Sequence, residues 1–208
     1  MDGLMGVDAT TIARARLHPD ESRRVFRVLV DALANPGRTY RLPHDVVGRA
    51  PMALVPMLAM CDIEVSIAVH PDRHDWAGAV TVATGAPSGE LEDAEWVAFL
   101  TPPTPQVLAL LDPGSTYEPE RGTRIAVAVH ALVTVDDRHA APAGATVIRL
   151  SGPGVAGHAD LAVGGVPASV FDSLAAINAD FPAGLDTWLL SADGRVAAIP
   201  RSSSIEVR

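Results

Sequence analysis

The sequence predicts an α/β protein built on one mixed sheet flanked by helices. Helix and strand signals alternate through the middle of the chain, the order expected of layered α/β architecture. The regular structure closes on a hairpin signal, Ala192-Asp193-Gly194 between strand-like runs at 187–190 and 195–199. The third observation is compositional. Hydrophobic residues make up 48% of 208, yet only nine are aromatic. The core must therefore be Ala, Val and Leu, which lets helices lie close on strands. No fixed-period repeat and no long linker divides the chain, so 20–208 reads as one domain and 1–19 as a loosely ordered segment.

The elements follow in order. Residues 20–34 suit an amphipathic helix with Val25, Phe26, Leu29, Val30 and Leu33 on one face, Asp20 and Glu21 at its start and Asn35-Pro36-Gly37 as its stop. Residues 38–42 are a short extended piece. Residues 50–60 read as a buried helix despite Pro56, and 63–70 as a strand; 75–84 suits helix or strand equally. A strand at 96–100 precedes a short helix at 103–111 that opens on proline. Residues 123–135 make one long strand or two, and 146–150 another. Residues 167–178 form a helix with Phe171, Leu174, Ala175 and Asn178 inward.

Composition excludes several functions. All 16 basic residues are arginine, and there is no lysine. No pyridoxal phosphate aldimine, Schiff-base aldolase, Walker A loop or Ser-Lys dyad can form on this chain. Net charge is −9, which disfavours nucleic acid and anionic membranes, and few aromatics leave little surface for base stacking. The single cysteine, Cys61, excludes an intramolecular disulfide. The N-terminus lacks a signal-peptide h-region, and the longest apolar run, 50–61, is too short for a membrane span. The chain is expected to be soluble and cytoplasmic.

Four motifs bear on chemistry. Gly152-Pro153-Gly154-Val155-Ala156-Gly157 spells a dinucleotide fingerprint, but Gly164, Gly165 and Pro167 make a poor helix after it, so it reads as a glycine turn. His70 and His74, with Asp72 and Asp75 between and beside them and Cys61 upstream, suit a metal-assisted hydrolase or, more plainly, a polar loop; no metal ligand is assigned. Asp136-Asp137-Arg138-His139 and the acid run Glu90, Glu92, Asp93, Glu95 read as solvated segments. Ser202, Ser203 and Ser204 lack a neighbouring base and read as a polar strand end, and no catalytic residue is assigned. Arg23 and Arg27, one helical turn apart, are candidates for an anion, a nucleotide or an acidic partner.

Five segments read together in this order: Phe26-Arg27; Leu33-Ala34-Asn35-Pro36-Gly37; 148–155 (Ile-Arg-Leu-Ser-Gly-Pro-Gly-Val); 181–186 (Phe-Pro-Ala-Gly-Leu-Asp); and 199–207, Ile-Pro-Arg-Ser-Ser-Ser-Ile-Glu-Val. The ordered set resembles the PhnH family, the H subunit of the bacterial carbon–phosphorus lyase system. The resemblance implies a fold like that of pyridoxal-phosphate-dependent transferases, without the cofactor. It implies a homodimer that assembles with the G, I and J subunits. It also implies a place in a system that, with the G, I and L subunits, joins a phosphonate to the ribose of ATP, giving ribose 1-phosphonate 5-triphosphate. On the same ground Pro36, Gly37, Gly152, Gly154, Pro182, Gly184, Asp186, Pro200, Arg201 and Glu206 would be structural or assembly positions. The three serines of the tail and the Arg-containing N-terminal segment depart from the family pattern.

Overall fold

The computed structural model describes residues 8–136 and 139–208. Asp8 accepts the Thr11 amide and starts α1 (Ala9–Ala15), inside the segment expected to be loosely ordered. Arg14 of this helix lies over the Trp76 ring at 5.5 Å. Helix α2 (Pro19–Ala34) begins at a capping box: Glu21 accepts the His18 amide, and His18 Nδ1 accepts the Asp20 amide. Its buried residues are Val25, Leu29 and Ala32, at i, i+4 and i+7. Phe26 and Val30, expected inward, are 48% and 43% exposed. They sit about 100° round the helix from the buried stripe, so the apolar band is wider than the face the core covers.

The remaining elements are β1 (Tyr40–Arg41), α3 (Val55–Met60), β2 (Ile67–His70), α4 (Trp76–Thr84), β3 (Trp96–Phe99), α5 (Pro105–Leu108), β4 (Arg124–Val129), β5 (Ala131–Val135), β6 (Thr146–Ser151), β7 (Ala159–Gly164), α6 (Ala168–Ile177), β8 (Asp186–Ser191), β9 (Arg195–Ile199) and β10 (Ser204–Val207). Pro56 falls in the first turn of α3, where its missing N–H costs nothing, and a 3-10 turn at Met52–Leu54 leads into it. Asp75, in left-handed backbone at φ 53°, accepts the Gly78 amide and decides 75–84 as helix.

Two sheets form where one was expected. The first runs β1-β9-β8-β4-β3-β2; its four strands β2, β3, β4 and β8 are parallel, and the β8–β9 hairpin and β1 add antiparallel strands. The second, β10-β6-β7-β5, is wholly antiparallel. Residues 123–135 are two strands because the chain leaves the middle of the first sheet at His130, whose amide donates to Gly164 O, and enters the edge of the second. β7 occupies the glycine-rich stretch that reads poorly as a helix, and the fingerprint is the turn that feeds it.

The first sheet separates two cores. On one side Val25, Leu29, Met57, Val80, Ala98, Ala126 and Trp188 pack beneath α1–α4. Ala98 and Ala126 leave room for Trp96 and Trp188 to stack at 5.2 Å, and Trp188 Nε1 donates to Leu29 O. On the other side Val97, Phe99, Ile125 and Val127 meet Ile148, Leu150 and Leu161 of the second sheet, with Phe171 and Leu174 of α6 closing the space.

The glycine turn tests this packing. Gly154 has φ +82°, and a Cβ there would stand 2.3 Å from Ala34 O; Gly157 has φ +79° but open space around it. Gly157→Ala is expected to cost about 1 kcal/mol, the left-handed penalty alone. Gly154→Ala is expected to cost at least about 3 kcal/mol, since the backbone of α2 must also move. Urea denaturation of both variants measures the difference.

Candidate functional site

The motif residues converge on the seams between the two sheets. Asp186 opens β8, and Arg201 follows β9. The Arg201 amide and Nε donate to Asp186 Oδ1 and Oδ2 at 2.9 and 3.1 Å, Nη2 donates to Oδ2 at 2.9 Å, and Nη1 donates to Pro119 O. Their side chains are only 11% and 23% exposed. Each of the three guanidinium nitrogens therefore makes a bond within the fold.

Small residues make the approach possible. A Cβ on Gly122 would stand 2.7 Å from Arg201 Nη1 and from Gly184 O. Gly184 has φ +142°; its amide donates to Pro113 O, and a Cβ there would meet Asn178 Oδ1 at 2.6 Å. Asn178 brackets Leu185, accepting its amide at 2.8 Å and donating to its carbonyl. The Phe181–Pro182 peptide bond is cis. Pro200 O accepts the Ser203 amide, which turns the chain from β9 in one sheet into β10 in the other.

A second seam joins α2 to the second sheet. Pro36 and Gly37 are buried, and a Cβ on Gly37 would lie 2.4 Å from Ala159 Cβ. Gly154 lies against Ala34 O and Pro36 Cδ, and Gly152 (φ +128°) against Ser202 O. The Asn-Pro-Gly stop, the glycine turn and the serine tail thus touch in one continuous line. Glu206 stands on β10 directly across from Arg149, which pairs through Nε and Nη2 with Asp160 of β7 at 2.8 Å each.

The other candidates do not join this cluster. Arg23 pairs with Asp20 at 3.1 Å on the exposed side of α2, and Arg27 has no hydrogen bond or ion pair among the described residues. Asp72 accepts the amides of Trp76 and Ala77 at 2.8 and 2.7 Å, so it and Asp75 are occupied in starting α4. The His70 ring rests edge-on to Phe99. Among the described residues no cluster of three or more His, Cys, Asp or Glu is placed to hold a metal. Cys61 is buried, and desolvation pushes its thiol up to about 12. Asp137 and Arg138 lie outside the described residues.

Sequence reasoning missed three features. The acid run is solvated as expected, with Glu90, Glu92 and Asp93 exposed, but Glu92, Asp93 and Glu95 also line a cleft of about 540 Å³ with Asp112, Glu118 and Arg121 at the amino ends of β2–β4. The Arg149–Asp160 pair spans two strands, and only the register reveals it. Asn178 reads from its periodicity as an inner-stripe residue, but its amide is a backbone bracket. Two grooves also flank Phe181, which is 61% exposed although it belongs to a motif.

This arrangement defines an α/β protein whose motif residues sit where two sheets and a helix approach closely. The chain belongs to the PhnH family, described as bacterial phosphonate metabolism protein, which matches residues 16–206. It is 29% identical over 197 residues to the alpha-D-ribose 1-methylphosphonate 5-triphosphate synthase subunit PhnH of Rhizobium meliloti (strain 1021), covering 89% of this chain and 90% of that protein.

Arg201→Lys keeps the charge but loses the fork, and is expected to cost about 2 kcal/mol. A double-mutant cycle with Asp186→Asn should return a coupling of about 1–3 kcal/mol in chemical denaturation. The Arg149 guanidinium holds the Asp160 carboxyl below the usual carboxylate range. A lowered carboxyl stabilises the fold above its unfolded value, about 3.9, and that stability is lost as pH falls through the folded value. Asp160→Asn should therefore lose at most about 1 kcal/mol at neutral pH and flatten the acid limb of stability measured below pH of about 4.

Proposed function

We propose that this chain is an accessory, non-catalytic subunit of the machinery that joins a phosphonate to the ribose C1 of ATP, displacing adenine and forming a ribose 1-phosphonate 5-triphosphate. The observation that carries the reading is the match of residues 16–206 to a family of phosphonate metabolism proteins, with a relative named as a synthase subunit. The site supports the accessory role, because Arg201, the most buried motif charge, uses all three of its guanidinium nitrogens on Asp186 and Pro119, within the fold. The partners in this reading are the G, I and J subunits, with the chain itself a homodimer. The fold would share ancestry with pyridoxal-phosphate-dependent transferases. The cofactor does not fit this chain as an aldimine, since no lysine is present to form one. Among the described residues no helix is long and apolar enough to cross a membrane; in this reading the complex assembles in the cytoplasm.

Co-expression with the G, I and J homologues from the same source tests the reading. The chain is expected to co-purify with them, and the reconstituted complex, with its L subunit, should turn over ATP and methylphosphonate at least about tenfold faster than one lacking the chain. A folded chain that binds none of these subunits overturns it.

A further inference from the structure

The outer strand of the second sheet carries the inference. β10 pairs with β6 in the register Ser204↔Ser151, Ile205↔Leu150, Glu206↔Arg149 and Val207↔Ile148. The Arg208 amide donates to Val147 O at 2.9 Å. In an antiparallel ladder bonded and non-bonded pairs alternate, so Glu206 and Ser204 exchange bonds with β6. The N–H and C=O groups of Ile205 and Val207 then point the other way, off the edge of the sheet. No proline, lysine or bulge interrupts 204–207; the strand carries one charge, Glu206, and α6 packs against it. The side chains of Ile205 and Val207 pack toward the core under α6. A groove of about 310 Å³, bounded by Ala175, Asn178, Phe181, Arg201 and Ser203, reaches the strand at Ile205.

Charge says what the edge would accept. Asp160, Arg149 and Glu206 lie side by side on three successive strands, alternating acid, base, acid. A further strand would place a residue opposite Glu206, and a cation there continues the alternation. The Arg208–Glu206 pair now beside it is exposed on both sides, 45% and 61%, and holds little energy against displacement. A second copy fits less well. The two-fold pairing that uses the outward groups of both Ile205 and Val207 sets Glu206 against Glu206 of the second copy, like charge on like.

We propose that β10 is a docking edge for an extended segment of another protein, added antiparallel as a fifth strand, with the pattern apolar–basic–apolar centred opposite Glu206. Main-chain bonds to Ile205 and Val207 supply the attachment, and the basic residue and the groove beside Phe181 supply selectivity. Under the proposed function, that segment belongs to another subunit of the complex, and the first arm of the test rests on that reading.

Residue-resolved hydrogen exchange on the full chain tests it, alone and with the G, I and J homologues. The amides of Ile205 and Val207 are expected to exchange at least about tenfold more slowly in the complex, and Val207→Pro, which removes an outward N–H and trims a half-buried side chain, to weaken assembly at least about tenfold while leaving the fold intact by circular dichroism. Glu206→Arg should weaken assembly too, and Val207→Thr should not. A complex that forms with both amides unprotected, and that accepts Val207→Pro as readily as the native chain, overturns the edge but leaves the proposed function standing. If no subunit binds, the proposed function falls, and a synthetic peptide Thr-Val-Arg-Val-Thr decides the edge: protection of both amides at about 1 mM supports it, and no protection overturns it. Protection that grows with the concentration of the chain alone assigns the edge to a second copy and also overturns it.

Discussion

The Arg201–Asp186 pair is the interaction on which the rest of the architecture depends. The chain must leave the six-stranded sheet after β9 and join the four-stranded sheet as β10. Arg201 stands at that crossing, with its backbone amide and its guanidinium both held by the carboxylate that opens β8. The same guanidinium reaches Pro119, ahead of β4, so one side chain ties together the segments before β4, before β8 and after β9. The close approaches at Gly122 and Gly184 exist because a buried fork needs its partners near and its surroundings small. A part-buried ion pair stabilises when further hydrogen bonds satisfy its groups, and here the backbone amide and each guanidinium nitrogen make one.

The second seam follows a different physical rule. Among the described residues no ion pair joins α2 to the β6–β7 turn; glycine backbone lies against Ala34 O, Pro36 Cδ and Ala159 Cβ instead. Gly37, Gly152 and Gly154 all have φ between +84° and +128° or close below it at +82°, and each would bring a Cβ into its neighbour. The two seams together explain why motif residues scattered over almost the whole chain occur as a set. They are the positions where two sheets and a helix come closer than side chains ordinarily allow. The acidic cleft, the exposed Phe181 and the open edge of β10 lie on surfaces left over from that construction, available to other molecules.

Much of the fold was legible in the sequence. The period of α2, the proline-led starts of α3 and α5, the apolar runs of β3, β4 and β8, and the hairpin turn at Gly194 are local signals, and each sits within a residue or a few of its expected place. Helix α1 was not legible, because a seven-residue helix that buries only Ala15 carries no amphipathic stripe. β7 was hidden by Gly164 and Gly165, which end the strand rather than prevent it. The apolar band of α2 was overread because hydrophobicity marks what can be buried, and the core covers only part of it.

The sequence alone determined the chemistry this chain cannot perform and the family it joins. Without lysine no aldimine forms, and with one cysteine no internal disulfide, whatever the fold. The ordered motifs were enough to mark a PhnH family member. The division into two sheets, the partner of Arg201, the bracket made by Asn178 and the ladder Asp160–Arg149–Glu206 were decided only in three dimensions. Each joins residues far apart in the chain or set side by side by strand register, and neither separation nor register leaves a periodic trace in one sequence.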